Sequence, residues 1–175
     1  MDLSDALSLI RKIPDYPKPG ILFQDITPIL SHPDAFNSVI SALCKDLSDT
    51  DIVVGIEARG FIFASAMANR MHCGFVPLRK AGKLPFDVFS QSYQLEYGTA
   101  SLEIHRDAIS AGSKVVLVDD VLATGGTIKA GLHLIEKAGG VVQSVSVLME
   151  IAGLSGRRKI AETFPSVNIS CLYSV

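Results

Sequence analysis

The chain of 175 residues has no tryptophan, and aromatics make up only 7% of it. Cysteine is scarce. Cys44, Cys73 and Cys171 are odd in number, far apart and in no CxxC arrangement. This argues against a disulfide framework and a cysteine-based zinc site, and it suits a reducing cytoplasm. A basic excess is also missing: 16 Lys and Arg face 18 Asp and Glu, for a net charge of −2. A nucleic-acid binder would show a basic field, so no nucleic-acid partner is expected, although a local phosphate site remains open. The longest apolar stretch, Gly60 to Ala68, falls far short of the roughly 20 residues a membrane span needs. Asp2 and Asp5 stand where a signal peptide carries positive charge. His32, His72, His105 and His133 are scattered without metal-ligand spacing. The expectation is one cytoplasmic domain over 1–175, with no membrane partner.

What is present is a core-forming composition, 48% hydrophobic with a mean hydropathy of +0.35. Leu3, Ala6, Leu7, Ile10 and Ile13 follow helical spacing up to Pro14. Pro14, Pro17 and Pro19 make residues 14–20 a stiff, non-helical connector. Pro33 opens a second helix, with Phe36, Val39, Ile40, Leu43 and Leu47 as its buried stripe. The pattern then changes. Short apolar runs at 52–56, 75–78, 114–118, 141–148 and 167–172 read as strands covered on both faces. Residues 60–71 and 127–138 read as helices, the second stopped by Gly139 and Gly140. Residues 80–92 are polar and aperiodic, and the reading there is a long loop. Alternating strands and helices predict an α/β domain on a mostly parallel sheet. In such sheets ligands bind beyond the carboxyl ends of the strands.

Residues 115–127 run Val-Val-Leu-Val-Asp-Asp-Val-Leu-Ala-Thr-Gly-Gly-Thr. A buried strand ending in Asp119 and Asp120 leads through Ala123, Thr124, Gly125 and Gly126 to a helix at Thr127. Glycines let backbone approach a ligand, and free N–H groups at a helix start suit a phosphate. Two carboxylates repel phosphate but accept hydrogen bonds from sugar hydroxyls or reach a hydrated Mg²⁺. A ribose 5-phosphate satisfies both halves. The bland alternative is a strand followed by a helix capped by Thr127. A P-loop is excluded, because Leu84 follows Gly82-Lys83 and Pro77 stands where its first glycine belongs. No G-x-G-x-x-G exists for a dinucleotide.

This segment resembles the phosphoribosyl-diphosphate (PRPP) signature of the type I phosphoribosyltransferases, in the form carried by their adenine-specific branch. Ile13–Thr27, Gly55–Phe61, Arg79–Pro85 and Ser92–Ile104 are similar to further family segments, in order along the chain. The resemblance implies a central, mostly parallel sheet flanked by helices, a small hood at about 13–30 and a mobile lid loop at about 80–100. It implies transfer of phosphoribose from PRPP to adenine N9, giving AMP and diphosphate in purine salvage. Mg²⁺ would travel with PRPP rather than on protein ligands, and the active form would be a homodimer. Glu57, Ala58 and Arg59 would form the diphosphate turn, with a non-proline cis peptide at Glu57–Ala58 or the next bond. Arg79, Lys80 and Lys83 would add charge for the leaving diphosphate. Leu22, Phe23 and Arg59 would contact adenine. Tyr93, Glu96 and Tyr97 would belong to the lid, with Glu96 near purine N7; Glu96 and Arg59 would be the catalytic pair. Gln24, Ala58 and Ala81 depart from residues common in relatives. Two alternatives stand beside this reading: an enzyme for a 6-oxopurine, and a PRPP-binding regulator on the same fold. Arg157, Arg158 and Lys159 read as a solvated helix face.

Overall fold

The computed structural model describes residues 1–94 and 98–175. Its contacts divide the chain into two compact units, Met1–Lys45 and Asp46–Val175. The first unit opens with α1 (Leu3–Ser8), whose first turn is capped by the Asp2 carboxylate. The helix ends earlier than its apolar spacing predicts. Arg11–Ile13 instead forms β1, an antiparallel partner of β2 (Phe23–Asp25). The proline connector closes this ribbon, and a two-stranded pairing satisfies backbone groups that a continued helix would have lost at Pro14. A short helix that the spacing did not reveal, α2 (Thr27–Ser31), leads into α3 (Pro33–Leu43). Val39, Ile40 and Leu43 are buried as expected, with Ala35 beside them; Phe36 is half-buried and Leu47 lies beyond the helix.

The second unit is a sheet flanked by helices. Its strands among the described residues are β3 (Ile52–Ile56), β4 (Gly74–Lys80), β5 (Val88–Gln94), β6 (Thr99–His105), β7 (Lys114–Leu122), β8 (Val141–Glu150) and β9 (Asn168–Ser174). They lie in the order β5-β6-β4-β3-β7-β8-β9. The five strands from β4 to β9 are parallel, and the β5–β6 hairpin adds an antiparallel edge. The loop expected at 80–92 is therefore strand from Val88 onward. Its polar alternation is that of an edge hairpin with one solvated face.

β3 lies at the centre. Val53, Val54 and Ile56 are at most 1% exposed, which explains the unbroken apolar run. The chain leaves β3 through α4 (Gly60–Met71) for β4 on one side. It leaves β7, on the other side of β3, through α5 (Gly126–Lys137) for β8. Right-handed crossovers running in opposite directions place the two helices on opposite faces. The strand order thus reverses between β3 and β7. That reversal opens a crevice at their carboxyl ends, where ligands of open α/β sheets bind. Ile128, Leu132 and Ile135 of α5 pack with Val54, Leu78 and Leu117 in the main core.

Candidate active site

Both chemistry-bearing turns end at this crevice. The first follows β3. Glu57–Ala58 is a cis peptide bond, as the resemblance implied, and Glu57 N–H donates to the Leu78 carbonyl. Gly60 then starts α4 hard against β7: a Cβ there would lie 2.9 Å from the Val118 carbonyl oxygen and 3.1 Å from Asp119 Oδ1. Only glycine lets the turn at 57–60 and the acidic pair come this close.

The second turn departs from the expected strand end. β7 does not stop at the carboxylates but runs on to Leu122, held by β8 through the pairs Asp119–Val147, Val121–Met149 and Leu122–Glu150. Its pairing with β3 does stop, at Gly55–Val118. Asp119 and Asp120 therefore lie just past the last β3–β7 pair, with β8 on one side and the turn that follows β3 on the other. Arg59 Nη2 lies 2.8 Å from Asp120 Oδ2, an ion pair that joins the two turns directly.

The electrostatics of the pair are unbalanced. Burial pushes the Asp119 carboxyl well above the usual carboxylate range, and the neighbouring Asp120 charge adds to the effect. The Asp120 N–H donates to Asp119 Oδ1 at 2.9 Å without offsetting this. Burial also raises Asp120, with the Arg59 guanidinium pulling against it. The site is short of positive charge and of hydrogen-bond donors. A ligand bringing hydroxyl groups or a cation supplies what is missing.

The loop beyond bends through Ala123 and Thr124 to Gly125, whose φ of +85° sets the start of α5. Gly125 itself is the helix N-cap, and no side chain caps the helix. Thr127 is thus not the cap of the bland reading but lies in the first turn. The first amides of α5, lacking a side-chain acceptor, suit an anion.

Arg79, Lys80 and Lys83 cluster beside the first turn. Arg79 grips Glu57 through Nε at 3.2 Å and Nη2 at 3.3 Å, and its Nη1 donates to the Lys83 carbonyl. Lys80 N–H donates to Glu57 Oε2 at 3.0 Å. The bond to Arg79 holds the Glu57 carboxyl below its usual range. Glu57 therefore spends its side chain on orienting the 79–83 turn. Lys80 and Lys83 are exposed and make no ion pair with the described residues.

The remaining expected residues belong to the first unit and to the end of β5. In the first unit Leu22 is 52% exposed, and Phe23 meets the Tyr16 ring edge-on at 5.2 Å between centroids. Gln24 turns inward at 7% exposed, with its Nε2 3.5 Å from the Leu22 carbonyl oxygen. Tyr93 and Gln94 end β5 against the start of α5, where a Cβ on Gly126 would lie 3.2 Å from the Gln94 carbonyl oxygen. Glu96 and Tyr97 lie outside the described residues. Sequence reasoning missed one neighbour of the 123–127 loop. Gly156 opens α6 (Gly156–Ala161) with its backbone against Ala123 and Gly125. No spacing in the sequence pointed to it.

Residues 27–170 match the model of the phosphoribosyl transferase domain. The adenine phosphoribosyltransferase of Thermobifida fusca is 57% identical over 155 residues, covering 87% of this chain and 88% of that protein. The crystal structure of the adenine phosphoribosyltransferase from Thermoanaerobacter pseudethanolicus superimposes with a TM-score of 0.92 at 47% identity, covering 99% of both chains. The Saccharomyces cerevisiae enzyme, complexed with adenine and D-2,5-dideoxy-2,5-imino-altritol 1,6-bisphosphate, gives 0.90 at 36% identity over 97% of each chain. With its two turns joined across the switch point by Arg59 and Asp120, the chain belongs to the type I phosphoribosyltransferase family, in its adenine phosphoribosyltransferase branch.

Proposed function

We propose that this chain transfers the 5-phosphoribosyl group of PRPP to N9 of adenine, releasing AMP and diphosphate. The observation that carries this reading is the Arg59–Asp120 ion pair, which sets a phosphate-binding cation beside a hydroxyl-binding carboxylate at the sheet's switch point. The 5-phosphate binds the amides and hydroxyls of Ala123, Thr124, Gly125, Gly126 and Thr127. Asp119 and Asp120 accept hydrogen bonds from the ribose hydroxyls, which relieves their raised carboxyls. The ribose is then fixed at both ends, and positioning of this kind lowers the barrier by several kcal/mol.

The C1′–oxygen bond to diphosphate breaks and the C1′–N9 bond forms. Backbone at Ala58, together with Arg59, Lys80 and Lys83, stabilises the departing charge. Arg79, neutralised by Glu57, holds that turn in place. Leu22 and Phe23 bind the purine, and Tyr93, Glu96 and Tyr97 form the lid. Glu96 exchanges a proton at purine N7 as N9 attacks, and the lid excludes water. Mg²⁺ bound together with PRPP would supply further charge neutralisation. Asp119 and Asp120 are the residues that fit its water shell, since buried carboxylates short of positive charge favour a cation. Among the described residues no cluster of three or more His, Cys, Asp or Glu forms a protein cage for a metal.

We also infer a homodimer in the cytoplasm. The three cysteines form no disulfide with one another, which favours a reducing compartment. The exposed Phe75, packed edge-on against Phe61 near the exposed Ile62, favours a covered apolar face. The deciding assay follows diphosphate release from PRPP and Mg²⁺ with adenine, hypoxanthine, guanine or xanthine. Release with adenine alone is expected. Release only with a 6-oxopurine overturns the base assignment, and none with any base overturns the enzyme.

A further inference from the structure

We propose that the cavity between α5, α6 and the end of β5 is a second anion site, which takes a small polyphosphate-bearing molecule. The cavity measures about 670 Å³, and its described lining includes Lys129 and His133 of α5 and Arg158 and Lys159 of α6. Glu162 is the one acidic residue among them. Three cationic side chains and an imidazole thus line the cavity with one carboxylate, in a chain whose net charge is −2.

Their arrangement follows from the two helices. Gly126, Lys129, Ala130 and His133 share one face of α5 by their three- and four-residue spacing. Arg158 and Glu162 are likewise one turn apart at the end of α6. Arg157 faces elsewhere: it pairs with Glu150 at 2.7 Å and donates to the Ile169 carbonyl. Only part of the basic run is therefore a structural tie. Among the described residues, Lys129, Arg158 and Lys159 form no ion pair. Like charges gathered around one cavity repel, and an anion between them reverses the sign of that term. Ser92, Gln94 and Thr124 add neutral hydrogen-bonding groups to the same wall. A single phosphate would engage only part of this set, so the charge and volume favour a chain of phosphates.

The site adjoins the substrate crevice without coinciding with it. Its lining includes none of Arg59, Arg79, Lys80, Lys83, Asp119 or Asp120; it shares Thr124, Gly125 and Gly126 with the phosphate loop and Tyr93 with the lid. That separation rests on the reading of 123–127 as the loop for the 5-phosphate. An anion held behind the loop lies within screening distance of the 5-phosphate, about 8–10 Å at physiological salt, and opposes its binding. The predicted effector weakens PRPP binding to a limit instead of displacing it.

The test is calorimetric titration of inorganic tripolyphosphate into the full chain, with Mg²⁺ present and AMP and diphosphate already saturating. One saturable site is expected, weakened by added salt. The double change Arg158→Ala and Lys159→Ala, at exposed positions, is expected to weaken it tenfold or more while AMP affinity and Tm stay unchanged. Lys129→Ala should weaken it in the same direction. ATP as a second probe separates the two sources of the anion. Equal binding assigns recognition to the phosphates alone, and tighter binding adds a contact to the base; either supports the site. Loss of all tripolyphosphate binding once the products saturate, or undiminished binding by the double variant, overturns it. Failure of AMP to bind would sink the proposed function instead, and titration of the bare chain and its variants would still decide the cavity.

Discussion

Gly125 and Gly156 meet backbone to backbone. A Cβ on Gly125 would lie 2.8 Å from the Gly156 carbonyl oxygen, and one on Gly156 would press into the Ala123 carbonyl oxygen. The first turn of α6 is thus the floor on which the phosphate loop rests. Gly156→Ala must displace either the loop or the helix. The expected cost is roughly 1–3 kcal/mol of stability, as for other overpacked sites. The sharper readout is kinetic. KM for PRPP and Kd for AMP should rise about tenfold or more, while kcat at saturation changes less. A fall in Tm with unchanged PRPP and AMP constants would reduce Gly156 to a packing residue.

Asp119 ties stability to function with opposite signs. Its carboxyl is raised in the fold, so the folded chain holds this proton to higher pH than the unfolded chain. Stability is therefore lost as pH climbs above the ordinary carboxylate value near 3.8, and the cost is present at neutral pH. Asp119→Asn removes that cost. Its Tm should exceed the parent's at pH 7 to 8, and the gap should close as pH falls toward 4. Activity should move the other way, because a charged hydrogen bond to ribose is worth about 1.5–3 kcal/mol, or roughly 10- to 150-fold. Melting curves across pH together with kcat/KM check both signs.

These two residues mark how far the sequence could be read. The apolar runs gave β3 and β7 because a strand buried on both faces has no polar alternation to hide it. The Asp-Asp and Gly-Gly pairs were legible for the same local reason. The carboxylates' position inside β7 was not legible, since β8 continues beside them after β3 has ended, a fact of sheet register. The helix at 157–159 was legible but its packing was not, since Gly156 touches a loop more than thirty positions earlier in the chain. The first half of β5, 88–91, escaped because a half-exposed strand with serine and glutamine looks like a loop, whereas the alternation from Ser92 onward is strand-like. At β1 the helical spacing of Ile10 and Ile13 competed with cross-strand pairing, and pairing won.

Arg59 and Asp120 form a pair of unequal burial, with side chains 41% and 7% exposed. Arg59→Ala leaves a carboxylate buried beside the raised Asp119. The half-exposed guanidinium is partly screened, so the expected destabilisation is about 1–2 kcal/mol, below that of a fully buried pair. The activity loss should be larger, about a hundredfold or more, since the same cation stabilises the leaving diphosphate. Arg59→Lys should restore most of the Tm and little of kcat, because an ammonium lacks the planar fork. Full kinetic rescue by lysine would show that charge alone suffices.

Glu57 and Arg79 offer the cleanest separation of positioning from binding. The Glu57 carboxyl holds two Arg79 nitrogens and the Lys80 N–H at once. Glu57→Gln keeps the shape but removes the charge, which frees the guanidinium and loosens the turn that carries Lys80 and Lys83. The diphosphate end of the reaction should suffer and the purine end should not. KM for PRPP is expected to rise about tenfold or more, in line with the roughly 1.5–3 kcal/mol of a charged hydrogen bond, with KM for adenine unchanged. The pH dependence has a defined sign as well. The folded carboxyl is depressed by Arg79, so its contribution is complete above its ordinary value of 4.5 and is lost only as pH falls through the lower folded value. Parent and Glu57→Gln should therefore differ by a constant factor from pH 6 to 8. A difference confined to the adenine constant would place Glu57 at the base instead of the diphosphate.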